Sequence, residues 1–227
     1  MNVRKICPTS VEQTDRLYWL GRYTERVYST MRLYFITYDT LIDQIGKQYG
    51  EFCRKLDIPE IYTSPEDFIR RYAFDETDCN SMMSNLMRAY DNAIVLREEI
   101  GSESLAYIQL AIYEMQKAAG SEAPLMEFQR VLDNLMAFWG ICDDQILSEN
   151  VRNILKVGKR VERIDLYGRL HRDREDLTRE IHRLTGRIDR CNLKYSQEVL
   201  EDLNKLVKEE NLDYPKIVSR VEQILEV

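Results

Sequence analysis

An all-α multihelical bundle with two long, related Glu-Arg motif helices is the fold this sequence predicts, on three observations. Apolar residues recur at steps of three and four along most of the chain, the period of a helix with one buried face. Gly and Pro number only 9 and 5 in 227 residues, too few chain-bending positions for a sheet with many tight turns. A Gly-x-x-x-Glu-Arg segment occurs twice, at residues 21–26 and 158–163, an offset of 137 residues from Gly21 to Gly158. The β-branched runs are short and do not alternate cleanly, so no strand is expected.

The first long helix is expected to begin at Thr9 or Ser10, since Thr9 and Glu12 have capping-box spacing and Pro8 limits continuation upstream. Leu20, Thr24, Val27, Met31, Tyr34, Tyr38, Leu41 and Ile45 then form its buried stripe. The many aromatics along it suit core packing rather than a ligand cage. A short helix fits 50–57, before the break at Asp57 to Pro59. Ser64, Pro65, Glu66 and Asp67 make a helix start, in which Ser caps, Pro is tolerated in the first turn and the acids suit the positive end. Helices follow at 81–100, stopped by Gly101, and from Ser102 or Ser104 to Gly120. Pro124 opens the next, with Val131, Leu135, Phe138 and Trp139 suited to burial. The second motif helix fits 148–170, a charged helical stretch runs to about 189, and two more helices fit 196–210 and 215–226. Residues 1–227 are read as a single α-helical domain, with a more loosely packed helical subregion from about 190.

Composition excludes several classes of function. A net charge of −7 argues against a general nucleic-acid surface. Residues 152–190 nevertheless hold 12 Lys or Arg against 7 Asp or Glu, either a solvated, ion-paired helix surface or a basic face for an anionic partner. Neither a signal-peptide core nor an apolar run of membrane-spanning length occurs, so a cytoplasmic protein without a membrane partner is expected. Cys7, Cys53, Cys79, Cys142 and Cys191 contain no close pair resembling a zinc or redox motif and are read as free thiols. Asp143 and Asp144 disfavour a Cys142 thiolate, whereas the basic stretch before Cys191 would lower the pKa of that thiol. His171 and His182 would lie about 16 Å apart along a continuous helix, too far to share a metal. No metal site, cofactor-binding loop, nucleotide fingerprint or hydrolase elbow is present, so no cofactor is expected.

The repeated segment carries the specific signal. Leu20-Gly21-Arg22-Tyr23-Thr24-Glu25-Arg26 matches Val157-Gly158-Lys159-Arg160-Val161-Glu162-Arg163, and the same offset maps Val27 to Ile164 and Arg32 to Arg169. A glycine inside a helix costs about 1 kcal/mol relative to alanine, so each needs a packing use. Residues four apart share a face and lean toward the N-terminus, so Glu25 is expected over the space left by Gly21, and Glu162 over Gly158. The missing Cβ would admit a partner helix or its arginine.

The segment Tyr18-Trp19-Leu20-Gly21-Arg22-Tyr23-Thr24-Glu25-Arg26, with its second copy, resembles the bacterial alpha-E domain family, an α-helical domain with a conserved Glu-Arg motif. Asn92-Ala93-Ile94-Val95-Leu96-Arg97-Glu98 is similar to the family's central Asn-Ala-Arg-x-x-Arg-Glu segment, with Ile94 in place of Arg. The resemblance implies a helical domain associated with transglutaminase-like or ATP-grasp-like proteins, hence with peptide-bond formation or peptide modification. The partner would carry the catalytic machinery.

Two readings of the charged residues follow. Arg22, Glu25, Arg26, Arg97, Glu98, Arg160, Glu162 and Arg163 form either a salt-bridge network joining helices, with Gly21 and Gly158 as packing glycines, or a cluster binding an acidic or peptide-like substrate. In the network, Arg163, Arg26 and Arg97 are the leading partners of Glu25 and Glu162. In the second reading Glu25, Glu98 and Glu162 are acid-base candidates, so enzymatic activity stays open, as does oligomerisation. The first reading makes the chain a helical interaction or accessory domain.

Overall fold

The computed structural model describes residues 9–43, 48–121 and 124–225, the side chains of 37–43 and 48 excepted. Within them lie eleven helices and no strand beyond an isolated antiparallel bridge between Tyr195 and Leu225. The helices are α1 (Val11–Asp43), α2 (Gln48–Leu56), α3 (Pro65–Phe74), α4 (Met82–Val95), α5 (Arg97–Ile100) and α6 (Ser102–Ala119). They continue with α7 (Pro124–Gln145), α8 (Glu149–Arg169), α9 (Arg174–Ile188), α10 (Gln197–Leu206) and α11 (Tyr214–Glu222). This is the all-α multihelical bundle the apolar periodicity predicts.

Two helices organise the rest. α1 packs on α8 along one side and on α4 along another, while α8 also carries α9 and α11. α6 and α7 form a helical hairpin beside them. Leu20, Thr24, Val27, Met31 and Tyr34 of the expected stripe are buried; Tyr38, Leu41 and Ile45 lie outside the described side chains. Val131, Leu135, Phe138 and Ile164 are fully buried, and Trp19 is partly so. Phe68 sits inside a group of aromatic rings, with Phe52, Tyr62 and Tyr72 centroids at 5.2, 5.0 and 5.2 Å. That group joins α1, α2 and α3 as packing. Beyond residue 190, Leu203, Ile217, Val221 and Ile224 enter the same core.

Helix ends follow local chemistry, with two corrections to the expected boundaries. The capping box at α1 is Ser10 with Gln13, not Thr9 with Glu12: Gln13 N–H donates to Ser10 Oγ at 3.1 Å, and Ser10 N–H to Gln13 Oε1 at 2.9 Å. Thr9 instead accepts from Asn150 of α8 at 2.6 Å, and Glu12 pairs with Arg16. The stretch 81–100 is not one helix. It breaks at Leu96, whose backbone leaves the α region (φ −89°, ψ 10°) while the side chains of Leu96 and Ile100 both stay buried. The expected boundary near 170 is where α8 ends: His171 adopts φ 50°, Arg172 N–H bonds to Tyr167 C=O, and the turn closes α8 as a Schellman motif, so His171 and His182 lie on different helical segments.

Ser81 is a test of such ends. Fully buried, it caps α4 by accepting from Ser84 N–H at 3.0 Å, and it donates to Asp75 C=O at 2.5 Å. Ser81→Ala is expected to cost about 2 kcal/mol, at the upper end for an N-cap because the partly buried Asp75 carbonyl also loses its donor. Urea unfolding monitored by circular dichroism measures it.

Candidate functional site

The two motif glycines meet at the crossing of α1 and α8. A Cβ on Gly21 would collide with the carbonyl oxygen of Leu155 and stand 3.1 Å from the amide nitrogen of Lys159. A Cβ on Gly158 would meet the carbonyl of Tyr18 and stand 3.1 Å from the amide nitrogen of Arg22. The space left by each missing Cβ therefore holds the partner's backbone, and neither Glu25 nor Glu162 leans back into it. Contacts advance in step along both helices, from Thr9 with Asn150, through the glycines, to Glu25 with Arg163, so the two run in the same direction.

One turn beyond each glycine, a glutamate crosses to the other helix. Glu25, 0% exposed, accepts at Oε1 from Arg163 Nε (2.7 Å), Arg163 Nη2 (2.5 Å) and Ser29 Oγ (2.8 Å). Lys159 Nζ stands 3.7 Å from its other oxygen, within ion-pair reach but too far for a hydrogen bond. Glu162, 4% exposed, accepts from Arg22 Nε at 2.7 Å and from Arg26 Nε and Nη2 at 2.5 and 2.9 Å. At the offset of 137, Arg22 corresponds to Lys159 and Arg26 to Arg163, so each carboxylate faces the equivalent pair of cations on the opposite helix.

The network extends from both glutamates. On the Glu162 side, Arg22 reaches Asp165 at 3.5 Å, and Asp165 accepts from Arg169, which also holds Asp57 and Glu222. On the other, Arg163 approaches Glu180 of α9 at 3.8 Å, and Arg160 donates to Glu180 at 2.7 Å. Arg97 and Glu98 do not join. Both are exposed on α5, and Arg97 donates to Ser102 Oγ at 2.9 Å.

Sequence reasoning did not single out Glu180, Asp165 or Lys159. Glu180 is 1% exposed although its helix reads as a charged surface; the available signal was its place beside the stripe of Leu177, Ile181, Leu184 and Ile188. The basic excess of 152–190 is thus partly consumed by buried carboxylates. Two thiols are held protonated by burial: it pushes Cys142 up to about 12 and raises Cys191 above its ordinary value, so the basic stretch does not lower the latter.

The electrostatics favour fixed charges. Burial opposes ionisation of Glu162, but Arg26 and Arg22 outweigh it and hold its pKa below the usual carboxylate value. A carboxylate so held is a poor proton donor at neutral pH. Lys159 behaves differently. Burial, aided by Arg163, Arg160 and Lys156, lowers its pKa to about 7 despite Glu25, and its ammonium lies 3.8 Å from the centre of the Trp139 ring. Between pH 7 and its ordinary 10.5, folded Lys159 has lost a proton that the unfolded chain keeps, so stability rises with pH. A gain of about 2 kcal/mol is expected from pH 6.5 to 8.5, below the range where the raised cysteines oppose it. Urea midpoints at both pH values should show a clearly larger gain in the natural protein than in Lys159→Met, where Lys156, lowered by burial to about 8, still contributes a smaller gain of the same sign.

Residues 13–208 match a family model described as Alpha-E, a predicted alpha-helical domain with a conserved ER motif. The chain belongs to the Alpha-E family. Comparison with curated proteins and with solved structures yields no match. In this Alpha-E domain the Glu-Arg pairs of the motif are the residues that cross between α1 and α8. No helix among the described residues is long and apolar enough to cross a membrane.

Proposed function

We propose that this Alpha-E domain is a cytoplasmic helical interaction or accessory domain serving an enzyme that forms or modifies peptide bonds. Transglutaminase-like and ATP-grasp-like proteins are the partner class. The observation that carries this reading is the burial and mutual pairing of Glu25 and Glu162, which leaves neither motif carboxylate free for acid-base work. The same reciprocity supports treating α1 and α8 as two related Glu-Arg helices whose first duty is assembly of the domain. A domain built on such a centre presents its outer helices to a partner and leaves the chemistry to it.

Co-purification from native cells under mild salt tests the proposal. The expected result is stoichiometric recovery of an enzyme with a transglutaminase-like or ATP-grasp-like domain. Peptide-ligating turnover by the isolated chain, lost in Glu25→Gln protein that still folds, would overturn it.

A further inference from the structure

The two carboxylate–guanidinium crossings each border a cleft, and the clefts correspond to one another at the offset of 137 residues. The first, about 180 Å³, lies on the Glu162 side and is lined by Arg26, Thr30, Asp165 and Arg169 among others. The second, about 360 Å³, lies on the Glu25 side and is lined by the equivalents Arg163, Tyr167, Tyr28 and Arg32. Their charges have diverged. Arg169 in the first is neutralised by Asp57, Asp165 and Glu222. In the second, Tyr28 takes the place of Asp165, and Arg32 has no carboxylate within ion-pair distance among the described residues.

Arg172, from the turn between α8 and α9, adds a second such guanidinium to the same cleft. Each of these arginines lies over a tyrosine ring, Arg32 over Tyr28 at 5.7 Å and Arg172 over Tyr167 at 5.9 Å. The ring contact orients each guanidinium, and apart from Arg32 Nη1, which donates to the Tyr28 hydroxyl at 3.5 Å, leaves the edge donors available. Arg163 closes the inner end, already paired with Glu25. Asp176, the acid lining the cleft, is engaged by Arg179. Ile36, 70% exposed, and Leu166 and Leu170 add a smaller apolar portion to the lining.

We infer that the cleft between α1 and the α8–α9 turn binds a small organic oxyanion, its carboxylate or phosphate held by Arg32 and Arg172 and its apolar body on Ile36 and Leu170. Two guanidiniums around a partly enclosed, mainly polar cleft with a smaller apolar portion recognise a head group and a body together, as ligand sites do. The inference goes beyond the accessory reading and does not depend on it, because the motif carboxylates take no part in the contact.

Titration calorimetry on the full chain with phenyl phosphate, benzoate and inorganic phosphate tests it. Phenyl phosphate or benzoate is expected to bind saturably below about 10 mM, more tightly than inorganic phosphate; the tighter of the two identifies the head group. Arg32→Gln and Arg172→Gln, both exposed positions, should each weaken binding about tenfold with unchanged circular dichroism. Arg54→Gln, at a cleft on the other side of α8, should leave it unchanged. Absence of saturable binding by both aromatic anions, binding unaffected in the Arg32→Gln/Arg172→Gln double variant, or equal binding of inorganic phosphate would overturn the assignment.

Discussion

Gly21→Ala and Gly158→Ala should each destabilise the domain by about 3 kcal/mol or more, enough to remove much of the stability of a typical domain. The new methyl meets backbone rather than a flexible side chain: the Leu155 carbonyl in one case and the Tyr18 carbonyl in the other. A side chain could rotate away, but a helix backbone relieves the clash only by moving the whole helix. Such movement would also stretch the Glu25–Arg163 and Glu162–Arg26 contacts one turn on. Gly140→Ala in α7 and Gly186→Ala in α9 provide the contrast, since a Cβ there meets nothing within 4 Å. Those two should be neutral or stabilising by up to about 1 kcal/mol, because alanine is the better helix former. Urea unfolding of the four variants separates close approach from helix propensity.

Glu162→Ala is expected to cost about 4 kcal/mol. The carboxylate is the shared acceptor of Arg22 and Arg26, and its removal leaves the Arg22 guanidinium, 8% exposed, with only the longer contact to Asp165. An uncompensated buried charge is far more costly than the intact pair is stabilising, which is why truncation reads so large. Glu162→Gln should recover part of the loss, since an amide oxygen still accepts while the charge is gone. Exposed pairs give the reference. Glu51→Ala breaks a 2.7 Å bridge to Lys55 whose side chains are both more than half exposed, and should leave stability close to that of the natural protein. Thermal and urea denaturation of the three variants gives the comparison.

Much of this architecture is legible in residue spacing because its causes are local. Pro65 after Ser64, Pro124 at the start of α7 and Ser148 ahead of α8 mark helix starts through backbone chemistry that one segment decides alone. The break at Leu96 carries no mark in the sequence, since residues 92–100 contain neither Gly nor Pro. Thr9 and Ser10 offer adjacent caps, and the choice falls to Ser10 because Thr9 is taken by Asn150 of α8. In the site, the repeat at offset 137 points to Glu25, Arg26, Glu162 and Arg163, since a matched register brings matched side chains to one crossing. Arg97 is misassigned because an i-based pattern cannot tell that α5 turns its residues outward. Glu180 is hidden by its composition: a glutamate among arginines reads as surface until the facing helix is known to supply Arg160 and Arg163. The unpaired arginines of the second cleft are hidden for a related reason, because the absence of a carboxylate partner is a property of three-dimensional neighbours.

The central claim is that the Glu-Arg motif joins α1 to α8 as an internal, buried pair. A double-mutant cycle on Glu25→Gln and Arg163→Gln, read by urea unfolding at pH 7, tests it most directly. The two residues are 138 positions apart in sequence, so coupling between them reports contact across the crossing rather than local helix propensity. The account predicts a coupling of about 2 kcal/mol, with each single variant strongly destabilised and the second change adding little to the first. Additive effects, with a coupling below about 0.3 kcal/mol, would contradict it.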